Sequence, residues 1–306
     1  MDSAVRRGEL TNAAWRWIAP LLPGASRRGR PWRDHRQVIN GVLWRLRTGT
    51  PWRDLPERYG PSQTVYERFA RWEVDGTWAK LLEHIQIRDD AIGAVKWTVS
   101  VDSTIARAHQ HAAGARKEKT SVGNESEDPA RAAASQALGR SRGGLTTKVH
   151  LACDGRGLPL AVVITPGNVN DSTVFDTVMN ALRVPRAGAG RPRRRPEAVL
   201  ADKAYSSRAI RQALRGRAIR AVIPERSDQK ANRVRRGQAG GRPPAFDRDL
   251  YKDRNVVERC FARLKQFRAI ATRFDKLATR YEAGVQLASL ILWLREPTQA
   301  PLSDGP

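Results

Sequence analysis

The chain has 306 residues, enough for one large or two ordinary domains, and its 55 Lys and Arg against 31 Asp and Glu leave a net charge of +24. That excess points to a polyanionic partner, nucleic acid first, and away from an enzyme of small acidic metabolites. A content of 40% hydrophobic residues with nine Trp excludes disorder throughout, while the lack of a long apolar run and of a signal-like start in MDSAVRRGEL favours a cytosolic protein without membrane contact.

Residues 10 to about 88 carry helical spacing. Thr11 caps a predicted helix with Trp15, Ile18 and Leu22, and Asp34 caps another with Val38, Val42, Leu43 and Leu46 that Gly49 and Pro51 stop. After Gly60-Pro61, Ser62 opens a helix whose Val65, Phe69 and Trp72 make an inward face. Gln63, Thr64, Glu67, Arg68 and Arg71 then fall outward, a mixture of amide, hydroxyl and guanidinium groups that can read base edges and phosphates. Residues 1–90 therefore read as a small all-helical, helix-turn-helix-like DNA-binding domain, or equally as a helical bundle with a solvated polar face. Trp15, Trp32, Trp44, Trp72, Trp78 and Trp97 are core by periodicity, and Trp52, beside the breakers, is left open.

From about 95 the period changes. VKWTVSV (95–101) is a strand running into Asp102, and 146–153, the Asp154-Gly155 turn and 158–164 make a hairpin. A helix over 171–182, a strand over 198–201 running into Asp202, a helix near 207–215, a strand over 219–223 and a long helix from about Leu250 follow. This order implies an α/β core of α+β type, a mixed sheet flanked by helices over 95–295. Residues 107–144 read as a flexible insertion, 185–197 and 226–248 as exposed basic loops, and 296–306 as a disordered tail. Residues 183 to 248 hold 19 Lys and Arg against 5 Asp and Glu, a net +14.

Asp102 and Asp202 share a setting at the end of a short apolar strand, which suits a hard, oxygen-seeking ion such as Mg²⁺; alone, each also fits a turn former or helix cap. On the last helix Tyr251, Arg254, Glu258 and Lys265 share one stripe beside apolar Val257, Cys260, Phe261 and Leu264. Glu258 could hold an ion while Arg254 and Lys265 meet phosphate oxygens. The same spacing also describes an exposed face with an Arg254–Glu258 ion pair. Cys153 and Cys260 are expected as buried thiols, His109 and His111 as solvated side chains, and Asp154 as a turn residue. Lys148 and His150 share a strand face near the site, and Lys203 and Tyr205 follow Asp202 closely enough to meet DNA.

The pattern Tyr251-x2-Arg254-x3-Glu258-x6-Lys265 resembles that of DDE transposases of bacterial insertion sequences. The text around it (254–294) is similar to the insertion sequence five family, as are SVDSTIARAHQHAAGARK (100–117), GRSRGGLTTKVHLACDGRGLPL (139–160), TPGNVNDS (165–172), LADKAYSS (200–207) and GTPWRDLPERYGPSQTVYERFARW (49–72). The resemblance implies a ribonuclease-H-like catalytic core with Asp102, Asp202 and Glu258 as the catalytic, metal-binding carboxylates of two Mg²⁺ ions, Mn²⁺ being a substitute. It implies an endonuclease that binds the terminal inverted repeats of its element and transfers strands to target DNA, acting as a homodimer or larger oligomer at the bacterial nucleoid. Expected DNA contacts are Tyr251, Arg254, Lys265, Lys203, Gln63, Thr64, Arg68 and Arg71. The competing readings are a nuclease or domesticated copy without strand transfer, and a DNA-binding regulator.

Overall fold

The computed structural model of the chain describes residues 6–24, 31–113 and 136–296. Four helices come first: α1 (Asn12–Ile18), α2 (His35–Thr48), α3 (Ser62–Val74) and α4 (Thr77–Ala91). The first two start as their sequence dictates, the Thr11 hydroxyl accepting from the Ala14 N–H at 3.1 Å and the Asp34 carboxylate from the Gln37 N–H at 2.6 Å. Gly49 ends α2 in the left-handed conformation with φ +70°, where a side chain would be strained and would also crowd the Phe274 ring.

The chain then builds β1 (Thr98–Ala108), α5 (Gln110–Ala113), β2 (Gly139–Ser141), β3 (Gly144–Cys153), β4 (Pro159–Pro166) and α6 (Asp171–Ala181). It continues through β5 (Ala198–Ala201), α7 (Arg208–Gly216), β6 (Arg220–Val222), α8 (Ser227–Arg235), α9 (Arg248–Lys252), α10 (Asn255–Lys265), α11 (Arg268–Ala271), β7 (Thr272–Arg273) and α12 (Ala278–Arg295). The five main strands lie in the order β4-β3-β1-β5-β6. β3 is antiparallel to both of its neighbours β4 and β1, whereas β5 and β6 run parallel to β1. Three antiparallel strands followed by two parallel ones on the far side of the first strand is the ribonuclease-H-like arrangement. β5, buried along its whole length, is apolar throughout from Ala198 to Ala201. Among the described residues no helix is long and apolar enough to cross a membrane.

One hydrophobic core runs from Leu10 through Trp72 and Trp78 to the sheet and on to Trp293. The helical layer thus shares its interior with the sheet instead of standing as a separate body. α4 packs on α12, and Gln86 donates from α4 to the Pro159 carbonyl at 3.0 Å. Trp72, Trp78 and Trp97 are buried as periodicity predicts, while Trp15, Trp44 and Trp52 are half-buried against the core. Trp17, in contrast, is exposed.

Four expectations change. β1 continues six residues past Asp102, because β3 pairs with it all the way to Arg107 after β5 has ended. The insertion accordingly starts later than 107, and its residues 114–135, like tail residues 297–306, lie outside the described residues. The helix expected from Leu250 is broken at Asp253 and Arg254, where i→i+3 bonds such as Val257 N–H to the Arg254 carbonyl tighten the turn between α9 and α10. The two basic loops are structured: 226–248 contains α8, and in 185–197 Arg186 and Arg193 pair with Asp90 at 3.2 and 3.3 Å while Arg193 stacks on Trp97.

Candidate active site

The end of β5 makes the site. The last register pair between the parallel strands is Val101 with Ala201, so Asp102 and Asp202 are the next residue on each strand. Neighbouring strands lie about 4.8 Å apart, which brings these two carboxylates to one notch where β5 stops and β1 goes on. Asp202 there caps a short 3-10 turn, its Oδ1 accepting the Ala204 N–H at 2.8 Å. Asp102 Oδ1 accepts its neighbour's Ser103 N–H at 2.8 Å. Burial raises the proton affinity of Asp102; Ser103 and Arg254 pull it back down, and the charge of Asp202 adds to the rise.

α10 supplies the third carboxylate. Val256, Val257, Cys260, Phe261 and Leu264 bury one stripe of the helix, which packs across β1 and β3. This docking turns Arg254 and Glu258 toward the notch. Arg254 Nη1 donates to Asp102 Oδ2 at 3.0 Å, and its Nη2 donates to Glu258 Oε1. Although burial works against its charge, the carboxylates of Glu258 and Asp102 hold Arg254 above its ordinary value. Tyr251 lies beside it, with the guanidinium carbon 5.9 Å from the ring centre. Lys265 ends α10, half-buried, with its ammonium destabilised by that burial.

Polar groups lie behind the notch: the sequence reading placed Lys148 and His150 on a strand face near the site but missed Asp171. Lys148 Nζ donates to Asp171 at 2.9 Å and to the Val169 carbonyl at 2.7 Å. His150, opposite Ser103 across the β1–β3 pair, is fully buried and shares a 2.7 Å hydrogen bond with Thr165. Tyr205 is buried as well, so it does not reach DNA, and its hydroxyl makes no hydrogen bond to another described group. Burial, and then the charges of Asp171, Asp102 and Asp202, push that phenol well up. Asp171 reads in sequence as an acidic first-turn residue after the Asn170 cap, and no local pattern marks it as the partner of Lys148.

His150 carries a testable consequence. Burial lowers its pKa to about 4, so it stays neutral in the fold while the unfolded chain takes up a proton below about 6.5. Stability is therefore lost as pH falls from about 6.5 toward 4, by up to about 1.4 kcal/mol per pH unit from this group. Urea melts across that range should show the loss, and His150→Gln should flatten this part of the curve.

The other predicted contacts divide. Gln63 and Arg71 are exposed on α3, Thr64 is half-buried, and Lys203 is exposed beside Asp202. Arg68 is corrected: it is 6% exposed, lies 4.0 Å over the Trp32 ring and donates to His35 Nδ1 at 2.8 Å. The helical angle explains this, since residue 68 falls about 40° beyond 72 and about 60° from 65, at the edge of the inward side of α3. His109 meets His111 edge-on and Phe274 at a tilt, with ring centres 4.5 and 4.9 Å away. Cys153 and Cys260 are buried free thiols, and Asp154 is a buried turn residue accepting the Arg156 and Leu158 N–H groups.

The donors suit a divalent cation in kind: two in-register carboxylates in a partly buried notch, a third on α10, and an unpartnered buried phenol among them. Among the described residues no three acidic, His or Cys side chains close around one point, because the Arg254 guanidinium lies between Asp102 and Glu258. A cation would thus be held first by Asp102 and Asp202.

Two family models match the chain. The one described as "Transposase DDE domain" covers residues 93–293. The one described as "Putative transposase of IS4/5 family" covers residues 10–82. The chain is 37% identical over 148 residues to the "Putative transposase for insertion sequence element IS402" of Burkholderia cepacia, covering 48% of this chain and 63% of that protein. It is 32% identical over 151 residues to the "Putative transposase for insertion sequence element IS6501" of Brucella ovis, covering 49% of this chain and 100% of that protein. A solved Mos1 transposase paired-end complex aligns over 79% of this chain and 82% of that one at 11% identity, with a TM-score of 0.24; the fold assignment rests on the strand register, not on that overlay.

Proposed function

The chain belongs to the DDE transposase family, and from that premise we propose that it binds the terminal inverted repeats of its insertion sequence and performs strand cleavage and strand transfer at Asp102, Asp202 and Glu258. The observation that supports this is the pairing of β1 with β5, which puts Asp102 and Asp202 at adjacent strand positions, together with the Arg254 guanidinium that links Asp102 to Glu258 on α10.

Asp102 and Asp202 would hold Mg²⁺, or Mn²⁺ in its place, with Glu258 as the third carboxylate. Two such ions, when bound, lower the pKa of an attacking water and offset charge at phosphorus and on the leaving 3′-oxygen. Arg254 does two jobs. Before DNA arrives it neutralises Asp102 and Glu258, which would otherwise repel the phosphodiester; with DNA present its planar fork donates to non-bridging phosphate oxygens and frees Glu258. Tyr251, Lys265 and Lys203 flank the same approach and position the backbone. Gln63, Thr64 and Arg71 on α3 meet the terminal repeat.

Hydrolysis of the P–O3′ bond leaves a 3′-hydroxyl on the element end and a 5′-phosphate on the flank. That hydroxyl then attacks a target phosphodiester, forming a new P–O bond and expelling a target 3′-oxygen, so no covalent protein intermediate is needed. Pairing two element ends calls for at least a dimer. The protein acts in the cytoplasm, on nucleoid DNA.

The test combines labelled element ends, Mg²⁺ and a supercoiled target. Joined products that require Mg²⁺ or Mn²⁺ are the expected result. Cleavage without joining would support a nuclease, and repeat binding with no metal-dependent cleavage would support a regulator.

A further inference from the structure

Part of the charge excess is folded into a groove that the site does not use. α7, α8 and the chain at 240–245 border a concavity of about 730 Å³ whose lining holds Arg208, Arg211, Arg215, Arg233, Arg236 and Arg242, with Glu225 as its one acid among the described residues. Two of these arginines are already committed. Arg211 donates to the Ser206 hydroxyl and to the Ile223 carbonyl at 3.1 and 2.8 Å, and Arg233 pairs with Glu225. Arg208, Arg215, Arg236 and Arg242 are exposed and have no hydrogen-bond or ion-pair partner among the described residues. Four unneutralised guanidiniums around one concavity repel one another, and that cost persists unless an anion fills it.

The rest of the lining says which anion. Besides the arginines and Glu225 it consists of Ser, Gln, Asn, Gly, Pro and Ala side chains, with no aromatic or large aliphatic group to anchor a peptide. From Arg208 to Arg215, α7 rises about 10 Å, the axial length of about three nucleotides of one DNA strand. The groove is also tied to the site. Gln229 of α8 accepts from the Ser206 hydroxyl at 2.7 Å and donates to the Ser206 carbonyl, and Ser206 closes the turn that begins at Asp202.

We propose that the α7–α8 groove is a phosphate track that binds the backbone of the same duplex whose scissile phosphate lies at Asp202, with Arg208, Arg215, Arg236 and Arg242 as its contacts. The proposal rests on the transposase reading for the identity of the duplex and adds a surface that grips it without reading sequence. Anchoring through Gln229 fixes the distance between the gripped phosphates and the reacting one, so binding energy from unreactive DNA is used to orient the bond to be cut.

Salt dependence tests it, with a short duplex of arbitrary sequence as the probe. Each phosphate contact contributes about 0.9 to the slope of log K against log salt concentration. Replacing the four arginines together (R208Q, R215Q, R236Q, R242Q) should flatten that slope by about 3 to 4, whereas the corresponding four-lysine variant should keep the slope of the parent. Equal slopes in parent and glutamine variant would overturn the proposal, as would a lysine variant that loses the slope with its fold intact by circular dichroism. Cleavage and joining by the parent chain, assayed alongside, separate the two readings. A groove-dependent slope in a chain that never cuts DNA would sink the transposase reading alone, and unchanged slopes in a chain that cuts and joins would sink the groove alone.

Discussion

Asp102→Asn, Asp202→Asn and Glu258→Gln are each expected to lower strand cleavage and joining by at least about 10²–10³-fold, the order lost when one preorganised electrostatic group is removed from an active site. Each exchange keeps the shape and removes the charge. The three should be strongly non-additive, the triple variant losing little more than the worst single one, because the carboxylates act as one unit on one phosphate. Folding should survive. Arg254 keeps Glu258 when Asp102 is neutralised and keeps Asp102 when Glu258 is neutralised, so its half-buried charge is left alone in none of the single variants; the triple variant removes both partners, and circular dichroism checks its fold. Duplex binding should be retained or slightly strengthened, since negative charge facing DNA has been removed. Gel-based strand cleavage and joining together with duplex affinity measure all of this; undiminished activity in the three variants would remove the catalytic assignment.

The second large effect lies between the helical layer and the sheet. Arg45 of α2 donates from both terminal nitrogens to Asp275, in the chain between β7 and α12, at 3.0 and 2.9 Å. The two side chains are only 4% and 9% exposed, and Arg45 also stacks on Trp52 with its guanidinium carbon 5.0 Å from the ring centre. Asp275→Ala leaves that guanidinium buried and unpaired, a loss of about 3–5 kcal/mol of unfolding free energy. The double replacement Arg45→Met with Asp275→Leu should recover most of it, because two apolar groups of similar volume need no partner. Urea unfolding followed by Trp fluorescence and by circular dichroism should give one coincident transition in the parent chain, as expected for a single core. A loss below about 1 kcal/mol in Asp275→Ala would mean that the pair is solvated and the layers are not locked there.

Much of the architecture is legible in sequence because local signals and burial agree. Thr11 and Asp34 cap where they are predicted to, Gly49 ends its helix by its left-handed φ, and the apolar strand before Asp202 stops at Ala201. The juxtaposition of Asp102, Asp202 and Glu258 is a matter of topology. Residue types and spacing left each of the three open between an ion ligand and a turn, cap or ion-pair residue, the family resemblance joined them as a triad, and the parallel pairing of β1 with β5 brings the first two into register. What stayed hidden depends on partners distant in the chain. β1 runs beyond Asp102 only because β3 is there to pair with it. Arg68 is drawn inward by Trp32 and His35, more than thirty residues away, although its helical angle alone would have moved it off the outward face. Asp171, Lys148 and Tyr205 come together through three separate elements, a meeting that no local pattern encodes.

The charge distribution changes meaning in the same way. Sequence alone makes 185–197 a free basic loop, yet Arg186 and Arg193 both pair with Asp90 of α4, Arg193 also with Glu197, and these contacts tie the loop to the helical layer. The positive charge still free of partners is found in places such as the α7–α8 groove, on the Asp202 side of the sheet.

The central claim is that residues 102, 202 and 258 surround a common divalent-ion position. Loading the protein with Fe²⁺ in place of Mg²⁺ and adding ascorbate with peroxide generates hydroxyl radical at the bound ion, which cuts the polypeptide next to it. Fragment masses should place the cuts near residues 102, 202 and 258, and excess Mg²⁺ or the Asp102→Asn exchange should suppress all three together. Cuts located elsewhere, or cuts near these residues that persist unchanged in Asp102→Asn, would contradict a shared metal-ion site.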